Sequence, residues 1–150
     1  MSPYDLIRTQ IGERVPFVRT AGVELTEVGD GTATAVLDQT DATSNHVGSQ
    51  HAGALYTLGE TASGAAVAGA LAPVVLSTRL VATTATIDYR AMAKGRVTAR
   101  GRTERPGAEL LATLDEAGKA VFKALVELTD ADGKTVATMT VDWHAKAAKG

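Results

Sequence analysis

Between Asp41 and Arg79 the chain carries one formally charged residue, Glu60. Around it runs a segment of small and apolar side chains from His51 to Leu71. Its length favours a helix over Ala52 to about Leu71. Yet Gly53, Gly59, Gly64 and Gly69 each cost roughly 1 kcal/mol relative to alanine in a helix interior. Close packing must offset that cost, because a surface of Gly, Ala and Ser lets neighbouring backbone approach. A helix uncharged nearly all round belongs in the middle of a fold. A lone carboxylate there is costly to bury without a partner. At the edge of a cleft, the same burial raises its pKa and suits it to act as a base or nucleophile.

The 150 residues suffice for one domain with a core. A formal net charge of -2 gives no electrostatic reason to expect a nucleic-acid partner. The absence of cysteine excludes disulfides, a thiol nucleophile and Cys-ligated zinc, and fits a cytoplasmic location. Met1 to Asp5 lacks the layout of a signal peptide. The apolar run Ala62 to Leu76 is interrupted by Pro73 and dominated by Gly and Ala, so no membrane span is expected.

Ser2, Pro3 and Asp5 predict a helix start, with the helix reaching about Ile11 and ending before Pro16. Val23 to Val28 and Thr32 to Leu37 predict strands joined by the turn residues Gly29-Asp30-Gly31. Asp41 to Gln50 reads as a polar loop. From Arg79 the period becomes two: Val81, Thr83, Ala85, Ile87 and Tyr89 share one face, and Ala82, Thr84, Thr86 and Asp88 the other. After the turn Ala93-Lys94-Gly95, a strand from Val97 to Thr103 has a basic outer face. A short amphipathic helix over 108–117 carries Leu110, Leu111 and Leu114. Strands Ala120 to Thr129 and Thr135 to Trp143 are joined at Asp130 to Gly133, and the tail from Lys146 to Gly150 is expected to fray. The fold class is therefore α+β, a curved antiparallel sheet wrapped around a long central helix.

Asn45-His46-Val47-Gly48-Ser49-Gln50-His51-Ala52-Gly53, followed by Leu58-Gly59-Glu60-Thr61-Ala62, resembles the signature of the hotdog-fold acyl-CoA thioesterases of the PaaI type. That pattern is Asn, several residues, His-Gly-Gly, and then an acid on the helix. The stretch Asp88 to Gly95 is similar to the strand and turn that come after the helix in that family. The helix over 108–117 is an addition to its simplest members and points to an uncharacterised thioesterase-like branch. The resemblance implies one hotdog domain over 1–150. It implies that Ala52 supplies the backbone N–H that polarises the thioester carbonyl, that Glu60 is base or nucleophile, and that Asn45 assists substrate or water. His51, Gly53, Thr84, Arg90 and Lys94 would contact substrate. No cofactor is implied beyond the coenzyme A of the substrate. Two departures stand out. Ala52 replaces the middle glycine of His-Gly-Gly, and Ala82 falls where some members carry a water-orienting serine. Thr84, two residues on, is expected to substitute from the same face.

The spacing adds a constraint of its own. Glu60 lies eight residues after Ala52, roughly 12 Å along a helix axis, whereas groups acting on one carbonyl must lie within roughly 3 Å of it. If both work on one substrate, they come from two chains whose helices run antiparallel across a two-fold axis, so a homodimer or tetramer is expected. Each assignment has a plainer competitor. Glu60 could be bonded to a neighbouring Ser, Thr or backbone group. His51 could simply organise its turn. Arg90, Lys94 and Arg96 could form a solvated strand end rather than meet the phosphates of coenzyme A. His46, His51 and Glu60 are poorly arranged for a metal. Gly59, Gly64 and Gly69 read as packing glycines, and Trp143 and His144 as packing and edge residues. A non-catalytic acyl-CoA-binding protein is the alternative function, and a dehydratase a third.

Overall fold

The computed structural model describes residues 1–148. Ser2 opens helix α1 (Pro3–Gly12) with a reciprocal capping box: its hydroxyl accepts from the Asp5 N–H at 3.1 Å, and the Asp5 carboxylate accepts from the Ser2 N–H. The expected stop before Pro16 holds for α1, but Pro16 itself opens a second helix, α2 (Pro16–Ala21), closed by Gly22 at φ 81°. Proline is pre-organised for the first helical position. Six residues are too few to display a period, which is why the sequence pattern missed α2.

Strands β1 (Glu24–Gly29), β2 (Thr32–Leu37), β3 (Thr78–Tyr89), β4 (Val97–Thr103), β5 (Lys119–Thr129) and β6 (Thr135–Ala147) form one sheet in the order β1-β2-β4-β5-β6-β3. Every pairing is antiparallel. β6 continues through Lys146 to Ala147 where a frayed tail was expected, and residues 149–150 lie outside the described residues.

The long helix α3 (Ala52–Ala70) crosses the inner face of this curved sheet and packs on strands from both halves. This is the architecture expected from the uncharged run. The glycines show how their cost is offset. A Cβ on Gly59 would meet the Met139 sulfur at 2.7 Å, and one on Gly69 would overlap the carbonyl of Gly29 in the β1–β2 turn. Leu58, Ala62, Ala65, Ala66 and Val67 are fully enclosed. The fourth helix, α4 (Gly107–Ala117), buries Leu110 and Leu114 and ends at Gly118 with φ 73°. Among the described residues no helix is long and apolar enough to cross a membrane.

Two features of the fold remain uncovered. From Leu55 to Ala70 only Tyr56, Thr57, Glu60 and Gly64 are not buried. Tyr56, Glu60 and Gly64 repeat at four-residue intervals and so form one stripe. Strand β3 pairs with β6 alone, leaving a twelve-residue free edge.

The strict alternation expected for β3 fails at one point. The register with β6 shifts between Ala82 and Thr84. Such a bulge leaves one residue unpaired and re-aims the side chains beyond it. Ala82 lies opposite Trp143, whose ring reaches α3, whereas Thr84 lies opposite Asp142, which pairs with Lys123 on the outer face. Opposed residues in an antiparallel pair point the same way. Thr84 is therefore on the outer face and does not share a face with Ala82. The expectation that it replaces a hydroxyl at position 82 is corrected by this bulge.

Candidate active site

The loop before α3 is tied down by its own short polar side chains. The Asn45 side-chain oxygen accepts from the N–H groups of Val47 and Ser49 at 3.1 and 3.0 Å, and its amide donates to Ser49 Oγ at 2.9 Å. Asn45 thus shapes this turn, as asparagine does in Asx-type turns. The buried Gln50 donates to the carbonyls of Leu37 and Gly95 at 3.3 and 3.1 Å, fixing the loop between β2 and the 93–95 turn.

His51 is the N-cap of α3. Its Nδ1 accepts from the Gly53 N–H at 2.8 Å, and its carbonyl accepts from Ala54 and Leu55. Three of the four N–H groups at the helix start are used in this way. The fourth, on Ala52, has no acceptor among the described residues. A free N–H at the positive end of a 19-residue helix is a ready donor for negative charge. Gly53 leaves room for the cap: a Cβ there would come 3.1 Å from His51 Nδ1.

Tyr89 holds this first turn from the other side. Its phenol donates to the Ala52 carbonyl at 2.9 Å. Burial, and then neighbouring Tyr56, raise its pKa above the ordinary tyrosine value and keep it a donor. Its place at the end of β3 was visible in the sequence, but its hydrogen bond to the helix was not. Around the helix start lies a cavity of about 320 Å³ lined by Asn45, Gln50, Ala52, Tyr89 and Arg90.

Glu60 sits two turns along α3. Its carboxylate has no hydrogen-bond or ion-pair partner among the described residues. Burial raises its pKa above the usual glutamate range. It borders a second cavity of about 360 Å³ whose walls include Ile11, Val15, Val18, Leu80 and Trp143. The bonded structural acid weighed for this position is not what the geometry contains. Trp143, read as a packing residue, is also a wall of this cavity; its ring touches Gly64 and its indole N–H donates to Ser63 Oγ at 3.3 Å.

The cationic residues divide. Arg96 forms a two-point ion pair with Asp38, at 2.7 and 3.2 Å. Arg90 lines the cavity at the helix start while donating to Thr138 Oγ1 at 3.2 Å. Lys94 is exposed in the following turn. Thus Asn45, His51, Ala52, Gly53 and Arg90 gather at the helix start, Glu60 stands apart beside its own cavity, and Thr84 faces away from both.

A family model described as a domain of unknown function, DUF4442, matches residues 5–145. No curated protein matches the chain. Among solved structures, a Pseudomonas aeruginosa protein described as a probable thioesterase of unknown function superposes with a TM-score of 0.83 at 26% identity, covering 97% of each chain. The Escherichia coli PaaI protein from the phenylacetic acid degradation operon gives 0.73 at 20% identity over 99% of this chain and 95% of that one. A Streptococcus pneumoniae hypothetical thioesterase solved with coenzyme A gives 0.65 at 20% identity over 85% and 88%. The fold is that of the PaaI-type hotdog proteins.

Proposed function

The chain belongs to the DUF4442 family, and from that premise we propose that it hydrolyses an acyl-CoA thioester at a site shared between two copies. The observation that carries this reading is the half-buried, unpartnered carboxylate of Glu60 at an apolar cavity. The free Ala52 N–H supplies the complementary part, a donor aimed where charge develops on a carbonyl oxygen. The names of the structural neighbours support thioester chemistry, and one was solved with coenzyme A.

Pairing of two copies is supported by the uncovered stripe of α3 and the free edge of β3. With helices antiparallel, the Glu60 of one copy faces the Ala52 amide of the other, which the roughly 12 Å separation within one helix forbids in a single copy. In the reaction, Glu60 takes a proton from water as the water oxygen attacks the thioester carbon. The oxyanion is held by the Ala52 N–H and by the dipole of its helix. Collapse breaks the C–S bond, the proton passes to the departing thiolate, and a carboxylic acid and free coenzyme A leave. Direct attack by Glu60 through an acyl anhydride gives the same products, and incorporation of labelled water oxygen into Glu60 separates the two routes. Arg90 and Lys94, at the mouth of the helix-start cavity and in the turn beyond it, are suited to the phosphates of coenzyme A. The reaction as written uses no metal or redox group.

The test is release of free thiol from a panel of acyl-CoAs by the wild-type protein and by Glu60→Gln. The variant is expected to keep its fold and lose turnover, and equal turnover in both would reject this mechanism. A second reading, acyl-CoA binding without hydrolysis, is favoured by one observation: Ala82 presents no hydroxyl to the inner face and the bulge turns Thr84 away. Stabilisation of the wild-type protein by acyl-CoA without thiol release would select it.

A further inference from the structure

The cavity beside Glu60 has a composition that selects among acyl groups. Its walls come from α1, the α1–α2 junction, α2, α3, the segment between α3 and β3, and the sheet, all within one chain. One chain thus supplies these walls, and a second copy lying on the α3 stripe would close the side where Glu60 and Gly64 stand. Apart from Glu60, its potential donors are already engaged. The Thr61 hydroxyl donates to the Thr57 carbonyl at 2.7 Å, and the Trp143 N–H is bonded to Ser63. No lysine or arginine lines it. Beyond the reach of the Glu60 carboxylate, a hydroxyl, amine or carboxylate carried on an acyl chain would lose its water among apolar walls and gain no side-chain partner. A second carboxylate would also face Glu60.

Volume narrows the choice further. The cavity holds about 360 Å³. At about 30 Å³ for a methylene, similar to the share of a water molecule in the liquid, roughly twelve carbons match this volume. An acetyl group or a single aromatic ring would leave most of the space unfilled. Resting on the hydrolytic site proposed above, we infer that the acyl group taken by this protein is an aliphatic chain of roughly eight to twelve carbons without polar substituents, lodged between Val15, Val18, Leu80 and Trp143.

The experiment is a series of straight-chain acyl-CoAs from acetyl to hexadecanoyl, with phenylacetyl-CoA, succinyl-CoA and a hydroxydecanoyl-CoA. Two readouts are taken: thiol release by the wild-type protein, and thermal stabilisation of the Glu60→Gln variant, which reports binding without turnover. The rate of thiol release, and the affinity derived from the stabilisation, are expected to rise about fourfold per added methylene to a maximum between octanoyl and dodecanoyl, with the three other compounds at least about tenfold weaker than decanoyl-CoA. Binding that peaks there without any thiol release keeps this inference and overturns the hydrolytic reading. Binding that peaks at acetyl or phenylacetyl, or shows no chain-length dependence, overturns the inference itself. Val15 is 39% exposed at the cavity mouth, so Val15→Trp is expected to fold and to move the optimum roughly two to three carbons shorter. Leu80→Ala is expected to move it longer. An optimum unmoved by both would show that the chain lies elsewhere.

Discussion

The phenol of Tyr89, the last residue of β3, donates a 2.9 Å hydrogen bond to the carbonyl of Ala52, the first residue of α3. The residue with the free amide is therefore held between a histidine cap on its N-terminal side and the end of a sheet-edge strand. The bond ties the strand that offers a free edge to the helix tip that offers a free N–H.

Tyr89→Phe removes this bond and keeps the ring. One exposed neutral hydrogen bond is worth about 0.5–1.5 kcal/mol, so a small loss of Tm is expected. Misplacing a donor by a fraction of an ångström slows chemistry more than it weakens binding. Turnover is expected to fall about three- to tenfold with KM little changed. A variant that raises KM alone would show that Tyr89 meets substrate rather than positioning Ala52.

Ala52→Pro deletes the N–H itself. Proline suits the first position of a helix, and His51 has the extended backbone, φ -64° and ψ 141°, that a residue before proline adopts. The variant is expected to fold and to lose about 100- to 1,000-fold in turnover, as on removal of one oxyanion donor. Mixing it with Glu60→Gln provides a sharper measurement. If the site is shared, the mixed dimer contains one intact pair, Ala52 of one copy and Glu60 of the other. Refolding an equal mixture would then restore roughly a quarter of wild-type activity. No recovery from two folded, exchanging variants would place both groups on a single chain's site.

Much of this arrangement was legible in the chain because it rests on periodicity and on charge. The uncharged run announced a buried central helix, the turn residues announced the hairpins, and the eight-residue gap between Ala52 and Glu60 announced that helix start and acid lie apart, each beside its own cavity. What escaped lies where spacing in sequence and in space part company. The bulge at Thr83 adds one residue to β3 without altering its composition, and so it exchanged the faces assigned to Val81 and Ala82 relative to the rest of the strand. Helix α2 is too short for a period, yet it and its entry contribute Val15 and Val18 to the cavity. Trp143 looked like a core residue and is one, at 7% exposure, but one edge of that core faces the cavity.

His51 separates a capping role from a substrate-binding one. As the N-cap it satisfies the Gly53 N–H. Loss of such a cap costs typically about 1 kcal/mol. His51→Ala is expected to lower stability by about that amount and to reduce turnover by loosening the first turn. His51→Asn supplies a side-chain oxygen in a position where asparagine caps well, and it should recover both. Should His51→Asn restore stability yet leave the protein inactive, the imidazole would have a direct role on substrate.

The pH behaviour of Glu60 is set by its burial. Its pKa is raised in the folded protein above the ordinary 4.5. Between the unfolded and folded values the folded chain binds more protons than the unfolded one, so stability falls as pH rises through that window. Covering the stripe with a second copy would bury the carboxylate further and act in the same direction. Glu60→Gln has no such proton to release. Its Tm advantage over wild type should therefore be smallest below the unfolded pKa, grow through the window, and stay constant above it. Turnover should run the other way, rising with pH as Glu60 loses its proton and becomes a competent base. Parallel pH profiles of Tm for the two proteins, or turnover by the wild type that is fully developed at pH 4.5, would mean that Glu60 does not titrate in the site as its surroundings require.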